Sequence, residues 1–81
     1  MTVASLSGID AEAIEFRVDE ESRICGRALK DVNFPKGGLV GMILRKREIV
    51  MPRGEDHILP GDDVIVFSLP EAIPAIEKLF D

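Results

Sequence analysis

Alternating apolar and polar residues mark the first regular element of the chain. Ile14, Phe16 and Val18 alternate with charged residues, and this period of two is typical of a strand with one buried face. Residues 1–11 show no comparable period. We therefore interpret them as a leader or linker that precedes a single domain over residues 12–81.

A short helix is predicted after this strand, between residues 22 and 32. Ser22 suits the N-cap position of a helix, and Gly26 lowers the helix propensity, so we expect only about two turns. The apolar residues that would share one helical face are Ile24, Cys25, Ala28, Leu29 and Val32. A loop then follows over residues 33–38, where a proline and two adjacent glycines interrupt any regular pattern.

Three further strands are predicted. Residues 39–44 are almost continuously apolar, which favours a strand covered on both faces, and Gly41 within it allows a close backbone approach. Residues 45–48 form a charged hairpin tip, and residues 49–51 form the return strand. Residues 63–69 are rich in β-branched side chains and form the last strand.

A turn and a terminal helix complete the pattern. The Pro-Gly pair at positions 60–61 favours a type II turn, and Asp62 is expected to accept hydrogen bonds from the turn amides. A helix is predicted after the last strand, with Ser68 and Glu71 in capping-box spacing and with one apolar face formed by Ala72, Ile73, Ile76, Leu79 and Phe80. The element order β-α-β-β-β-α predicts an α+β fold with a four-stranded, mainly antiparallel sheet and two helices.

Composition narrows the class of protein. The 81 residues include 15 acidic and 10 basic side chains, for a net charge of −5. Nucleic acid is a poor partner for such a surface, because binding to its phosphates requires clustered lysines and arginines. The one basic cluster, residues 45–47, is interpreted as a solvated hairpin tip, with contact to an anionic ligand or partner as the alternative. No apolar run approaches the roughly 18 residues that span a bilayer, and the N-terminus lacks the features of a signal peptide. A small domain without a disulfide framework favours oligomerisation.

Residues with catalytic chemistry are scarce. His57 is the only histidine and Cys25 the only cysteine, so no metal site of several histidines can form. We interpret Cys25 as a small buried apolar residue and His57 as a solvated or hydrogen-bonded turn residue. No glycine-rich phosphate loop is present, and a hydrolase that uses Asp62 or Asp63 has little support. The sequence therefore predicts a protein that is not an enzyme and holds no metal.

Two longer motifs give a sharper indication. One is P-x-G-x-x-x-x-L-x-G-D, formed by Pro52, Gly54, Leu59, Gly61 and Asp62. The other is S-x-x-x-G-R-x-L-K-D, over residues 22–31. In this order and at these spacings they resemble the TrkA C-terminal domain family, also called the RCK C-terminal domain, over about residues 12–80.

The resemblance implies a cytosolic regulatory domain of a potassium or other cation transport system. Such domains pair as homodimers, act on an integral membrane transporter subunit and thus lie at the inner membrane through that partner. They usually follow a nucleotide-binding Rossmann domain. NAD or ATP would bind to that separate domain and not to this chain. The expected mechanism is conformational, with a ligand or a movement elsewhere in the assembly changing the geometry of the paired domains.

The resemblance also implies a ligand site. Some members of the family bind cyclic di-AMP or other small ligands in the cleft between two C-terminal domains. On the matched motif, Arg27 would pair with a phosphate, and Val40 and Gly41 would contact a base or ribose; the alternative is that Arg27 is a surface charge and Val40 a core residue.

Two other functions remain open from the sequence. One is a dimerisation module without a ligand. The other is a small-molecule-binding regulatory domain of another transporter or of a metabolic enzyme, such as an ACT-like module. The helix predicted after the last strand argues against the ACT-like order, in which the second helix precedes the last strand.

Overall fold

The computed structural model describes the backbone of residues 2–5 and all of residues 10–81. Its strands are β1 (Thr2–Ser5), β2 (Glu12–Arg17), β3 (Gly38–Arg45), β4 (Glu48–Val50) and β5 (Asp63–Ser68). One α-helix, α1, spans Ile73–Leu79, and two short 3-10 helices span Leu29–Asp31 and Pro70–Ala72.

The strands form one antiparallel sheet in the order β1-β2-β5-β3-β4. The four strands predicted from the sequence are confirmed, with β5 at the centre. The fifth strand, β1, pairs with β2 in the segment interpreted as a leader. A four-residue edge strand is too short to show a clear period of two, and it needs a partner on one side only.

One face of the sheet carries the core. Ile14 and Phe16 of β2 and Val64 and Val66 of β5 are buried, because the period of two places them on the same face. The C-terminal segment covers this face, and the ring of Phe80 stacks on that of Phe16 with centroids 4.3 Å apart. Other buried apolar residues are Val18, Ile24, Ala28, Val32, Ile43, Ile58, Ala72 and Ile76.

The helix predicted over residues 22–32 is wrong. Gly26 has a positive φ of 81°, and Ala28 is extended, so an α-helix cannot run through them. Backbone groups of this segment bond to residues 54–58 instead: the Gly26 amide donates to the Ile58 carbonyl at 2.6 Å, and the Ile58 amide donates to the Arg27 carbonyl at 3.1 Å. The apolar spacing indicated burial correctly but not conformation.

The terminal helix is confirmed, but its predicted cap is wrong. A 3-10 turn that begins at Pro70 leads into α1, whose N-cap is Ala72 without a side-chain hydrogen bond. The Ser68 hydroxyl donates to the carbonyl of Leu69 at 2.8 Å. Ser68 lies within β5, facing the core, and is therefore held away from the amides at the start of the helix.

Strand β3 is covered on one face only, contrary to the prediction of two buried faces. Ile43 is fully buried, whereas Leu39 is 58% exposed. The apolar residues on the second face of β3 are therefore part of the protein surface. We call this second face of the sheet, away from the core, the open face.

Candidate functional site

The turn over residues 59–62 has the type II geometry that its Pro-Gly pair predicts. The Asp62 amide donates to the Leu59 carbonyl at 3.2 Å, and Gly61 has a φ of 87°. This left-handed value at the third turn position is readily adopted by glycine. The turn delivers Asp62 to the start of β5.

Asp62 anchors this end of the sheet. Its side chain is 1% exposed and accepts bonds from Arg45 Nε at 2.9 Å and Arg45 Nη2 at 2.8 Å. It also accepts a bond from the Leu59 amide at 2.9 Å, as expected from the sequence. Burial alone would raise the pKa of Asp62, but the bonds from Arg45 and Leu59 and the charge of Arg45 outweigh burial and lower this pKa.

The basic cluster at residues 45–47 is therefore divided. Arg45 is not part of a solvated tip, because it ends β3 and reaches the buried Asp62. Lys46 and Arg47 are exposed and form the tip itself, both with positive φ (49° and 66°). The two-residue hairpin between β3 and β4 demands this backbone conformation.

A cavity lies beside the edge of β3 that faces β4, at the point where the pairing between these two strands ends. Strand β4 pairs with only three residues of β3, from Ile43 to Arg45. Beyond β4 the chain reaches Pro52, which has no amide to donate, and β3 itself has a register irregularity between Val40 and Met42. The segment 52–54 and the first half of β3 therefore border a gap instead of forming a ladder.

The cavity has a volume of about 320 Å³ and a mainly apolar lining. Two cationic residues, Lys30 and Arg53, also line it. Its remaining lining residues are Leu29, Phe34, Gly38, Leu39, Val40, Pro52 and Gly54. An open, mainly apolar pocket bordered by two exposed cationic residues is suited to a small amphipathic anion, whose apolar part would contact the walls while its charge would meet Lys30 and Arg53.

Backbone hydrogen bonds hold the two cationic residues at the cavity. The Lys30 amide donates to the Gly54 carbonyl at 2.9 Å, which joins the first 3-10 helix to the segment after β4. The Arg53 amide donates to the Asp56 carboxylate at 2.6 Å, within a turn closed by the Asp56 amide and the Arg53 carbonyl. The Pro52-x-Gly54 part of the longer motif thus builds one wall of the cavity.

The three residues proposed from the sequence as ligand contacts do not come together. Val40 lines the cavity. Gly41 lies at the irregularity in β3, and the ring of Phe67 on the open face occupies the position that a side chain at Gly41 would take. Arg27 is exposed, outside the cavity lining, and donates from Nη2 to the Asp31 carbonyl at 2.7 Å.

Sequence reasoning missed Lys30 and Arg53 as cavity residues. Both lie inside the quoted motifs, next to Leu29 and between Pro52 and Gly54, so a signal was present. Their proximity depends on backbone pairing between segments more than 20 residues apart. This pairing was not expected, because the segment of Lys30 was predicted to be a helix, whose backbone groups bond within the helix.

The residues considered for catalysis lie apart from the cavity. His57 is exposed and bridges Ala28 through the backbone, and Cys25 is half-buried against the core. Asp62 and Asp63 each pair with a different arginine, Asp63 with Arg17 at 2.6 Å. Among residues 10–81 and the backbone of 2–5, no group of three or more His, Cys, Asp or Glu residues could hold a metal ion.

Comparison with known proteins decides the family. The sequence profile of the TrkA-C domain matches residues 13–81. This chain belongs to the TrkA-C domain family. The part of the chain that the structure describes contains no helix long and apolar enough to cross a membrane.

Several relatives carry potassium uptake names. The chain is 42% identical to "Trk system potassium uptake protein TrkA homolog 1" of Methanosarcina mazei, over 98% of this chain and 18% of that protein. It is 33% identical to "Trk system potassium uptake protein TrkA" of Azorhizobium caulinodans, over 96% of this chain and 17% of that protein. The TrkA-C chain thus spans less than a fifth of the length of these relatives.

A solved structure shares the fold. It is described as "Structure of RCK domain with cda" and matches with a TM-score of 0.70 at 18% identity, covering 85% of this chain and 97% of that chain. This match confirms the predicted fold class of an antiparallel sheet with a C-terminal helix.

Proposed function

We propose that this TrkA-C domain is a cytosolic regulatory module of a potassium or other cation transport system, with no catalytic activity of its own. Membership of the family and the potassium uptake names of the relatives support this role. The module would pair as a homodimer and act on an integral membrane transporter subunit, which would hold it at the inner membrane. Nucleic acid is not among its partners, and NAD or ATP would bind a separate Rossmann domain.

The observation that carries a sensing role is the cavity beside Val40. Its apolar walls suit a planar ring, and Lys30 and Arg53 suit a phosphate. Over residues 38–42, the edge of β3 opposite β5 has no strand partner within the described residues. Its backbone amides and carbonyls can therefore form hydrogen bonds with the polar atoms of a ligand's ring. Cyclic di-AMP has this chemistry, and the similar RCK domain carries "cda" in its description.

The proposed ligand geometry differs from the one drawn from the family motif. Val40 keeps its role beside a base or ribose, while Lys30 and Arg53 replace Arg27 as the phosphate contacts. Gly41 would act indirectly, since the register irregularity next to it separates β3 from the segment after β4.

Regulation would follow from a difference in affinity. A ligand shifts an equilibrium between two conformations only by the ratio of its affinities for them. Because the cavity is bordered by two segments that are not joined by a ladder, a bound ligand can change their separation. That change would pass through the paired domains to the transporter subunit.

The test is a binding screen by thermal shift and calorimetry with potassium, calcium, nucleotides and cyclic di-AMP. We expect cyclic di-AMP to raise the Tm of the wild-type chain and to bind at least about tenfold more weakly to Lys30→Gln/Arg53→Gln, because a hydrogen bond to a charged group contributes about 1.5–3 kcal/mol. The matched control is Lys46→Gln/Arg47→Gln, which removes the same charges at the hairpin tip.

A response to none of these ligands would contradict a sensing role, and equal weakening in both double variants would contradict the assignment to this cavity. The first result would favour a second candidate, a dimerisation module without a ligand. The exposed side chains of Ile49 and Phe67 on the open face, which lie outside the cavity lining, favour that candidate.

A further inference from the structure

Half of strand β3 has one edge without a partner among the described residues. Strand β4 pairs with β3 only from Ile43 to Arg45, and no backbone hydrogen bond joins residues 39–42 to the segment 51–54. We call the side of residues 39–42 that points away from β5 the free edge. An antiparallel strand turns the amides and carbonyls of alternate residues to each side, so this edge presents unpaired backbone groups, a template for a further strand. We infer that an extended acidic segment of a partner protein adds to β3 at the free edge.

The free edge carries little of the protection that exposed sheet edges have in other proteins. Charged side chains, prolines and β-bulges discourage strand addition. Residues 39–42 contain no charge and no proline, and the irregularity between Val40 and Met42 lies in the pairing with β5 on the other side. Leu39 is 58% exposed and offers an apolar contact to an added strand. Strand addition uses both features, because main-chain bonds give affinity and contacts to alternate side chains give specificity.

The cavity beside the free edge determines the charge of the partner. Of the described residues that line it, only Lys30 and Arg53 are charged, and both are exposed. A strand added to β3 passes this cavity, so an acidic side chain at that point can form charge-assisted hydrogen bonds with them. Leu29 and Phe34 line the same cavity and suit an aliphatic neighbour of that acidic residue. The segment that fits is therefore extended, with an acidic residue among aliphatic ones.

The same charges disfavour a second copy of this chain at the free edge. A two-fold interface uses the same surface on both sides, so two paired β3 edges would bring Lys30 and Arg53 of one copy towards those of the other. Like charges that face each other across an interface suppress association. A segment of a different protein meets no such repulsion. An added strand would also exclude cyclic di-AMP from the cavity, a consequence that rests on the proposed function.

The test is fluorescence anisotropy of the 81-residue chain with a labelled peptide of sequence V-T-V-D-V-T-V. One matched peptide carries lysine in place of the aspartate. Another carries N-methyl groups on its three central residues, which remove amide donors from both edges of the peptide. Lys30→Gln/Arg53→Gln is compared with Lys46→Gln/Arg47→Gln at the hairpin tip. Amide hydrogen exchange followed by NMR then locates the bound peptide on the chain.

We expect the aspartate peptide to bind the wild-type chain and Lys46→Gln/Arg47→Gln equally, and to bind Lys30→Gln/Arg53→Gln at least about tenfold more weakly. The lysine and N-methyl peptides should bind the wild-type chain at least about tenfold more weakly than the aspartate peptide. Bound peptide should slow amide exchange within residues 39–42, because these amides gain hydrogen bonds. These results together would support an acidic strand at the free edge.

No binding of the aspartate peptide at millimolar concentration, or equal binding of either matched peptide, would overturn the inference. Exchange within residues 39–42 that slows as the chain alone is concentrated would assign the free edge to a second copy and would also overturn it. Cyclic di-AMP binding without peptide binding would overturn this inference and leave the proposed function intact. Peptide binding at the free edge without cyclic di-AMP binding would support the inference and contradict the proposed ligand.

Discussion

Replacing Asp62 by asparagine tests the anchor at the start of β5. Asp62→Asn keeps the size of the side chain but removes its charge, leaving Arg45 without its anionic partner. Three hydrogen bonds converge on the Asp62 carboxylate, two from Arg45 and one from the Leu59 amide. These bonds join β3, the type II turn and β5, so the substitution should destabilise the whole sheet.

The magnitude follows from burial. Removing one partner of a buried ion pair costs about 3–5 kcal/mol. The Arg45 side chain is 28% exposed, and an asparagine oxygen still accepts one of the three bonds, so we expect a loss of about 2–3 kcal/mol. A domain of this length has a free energy of unfolding of about 4–12 kcal/mol. The Tm should therefore fall by about 10–20 °C.

The loss should depend on pH with a definite sign. The pKa of Asp62 is lowered in the folded chain, so the ionised carboxylate stabilises fully above the unfolded pKa of about 3.9. This stabilisation disappears as the pH falls through the folded pKa, where wild-type Asp62 also becomes neutral. The difference between wild type and Asp62→Asn should thus be constant from pH 7 to 5 and shrink below pH 4.

Urea unfolding followed by far-UV circular dichroism measures this difference, because the chain has no tryptophan or tyrosine for fluorescence. Asp63→Asn is the matched control: Asp63 pairs with Arg17, whose side chain is 70% exposed, so its loss should cost less than about 1 kcal/mol. Equal costs for the two substitutions, or a cost for Asp62→Asn that does not change between pH 7 and pH 3, would contradict a stabilising ion pair between the buried Asp62 carboxylate and Arg45.

Three further substitutions can be compared by the same unfolding measurement. Gly61→Ala should cost about 1–2 kcal/mol, because a side chain is unfavourable at a φ of 87° even though nothing lies within 4 Å of it; an unchanged urea midpoint would contradict this. Ser22→Ala should cost about 1–3 kcal/mol, since the buried hydroxyl donates to the Phe80 carbonyl at 3.0 Å, and a loss below 0.5 kcal/mol would show that water replaces it. Gly41→Ala should cost about 1–3 kcal/mol, because the Phe67 ring must move; a stability gain would show that the ring is not held there.

The strands β2 to β5 were predictable because the burial of their side chains leaves a pattern in the local sequence. In β2 the alternation that placed Ile14 and Phe16 inside is a property of any half-buried strand. The Pro-Gly turn was predictable for a similar reason, since its backbone angles depend on two residues alone. Such local signals were sufficient for β2 to β5 and for the terminal helix, but not for the short edge strand β1.

The segment over residues 22–32 shows where local signals fail. Its apolar residues are buried, but they are buried by a backbone that turns at Gly26 and then pairs with residues 54–58. Apolar spacing reports which positions are covered, and two different backbone paths can cover the same positions. Lys30 and Arg53 were missed as cavity residues for the same reason, because only the long-range pairing brings their segments together.

The open face was also not predictable from β3 alone. A continuous apolar strand is expected when both faces are covered, and the sequence cannot distinguish a face covered within the chain from one left on the surface. The exposure of Leu39 separates these two cases.

Cation uptake tests most directly the proposal that the cavity beside Val40 senses a ligand and thereby regulates transport. Rubidium uptake would be measured in membrane vesicles from cells that express the gene encoding this chain and its transporter, with and without cyclic di-AMP at the cytoplasmic side. We expect cyclic di-AMP to change uptake with the wild-type chain and with Lys46→Gln/Arg47→Gln, and we expect Lys30→Gln/Arg53→Gln to remove this response. An undiminished response in Lys30→Gln/Arg53→Gln would contradict a regulatory ligand site at this cavity.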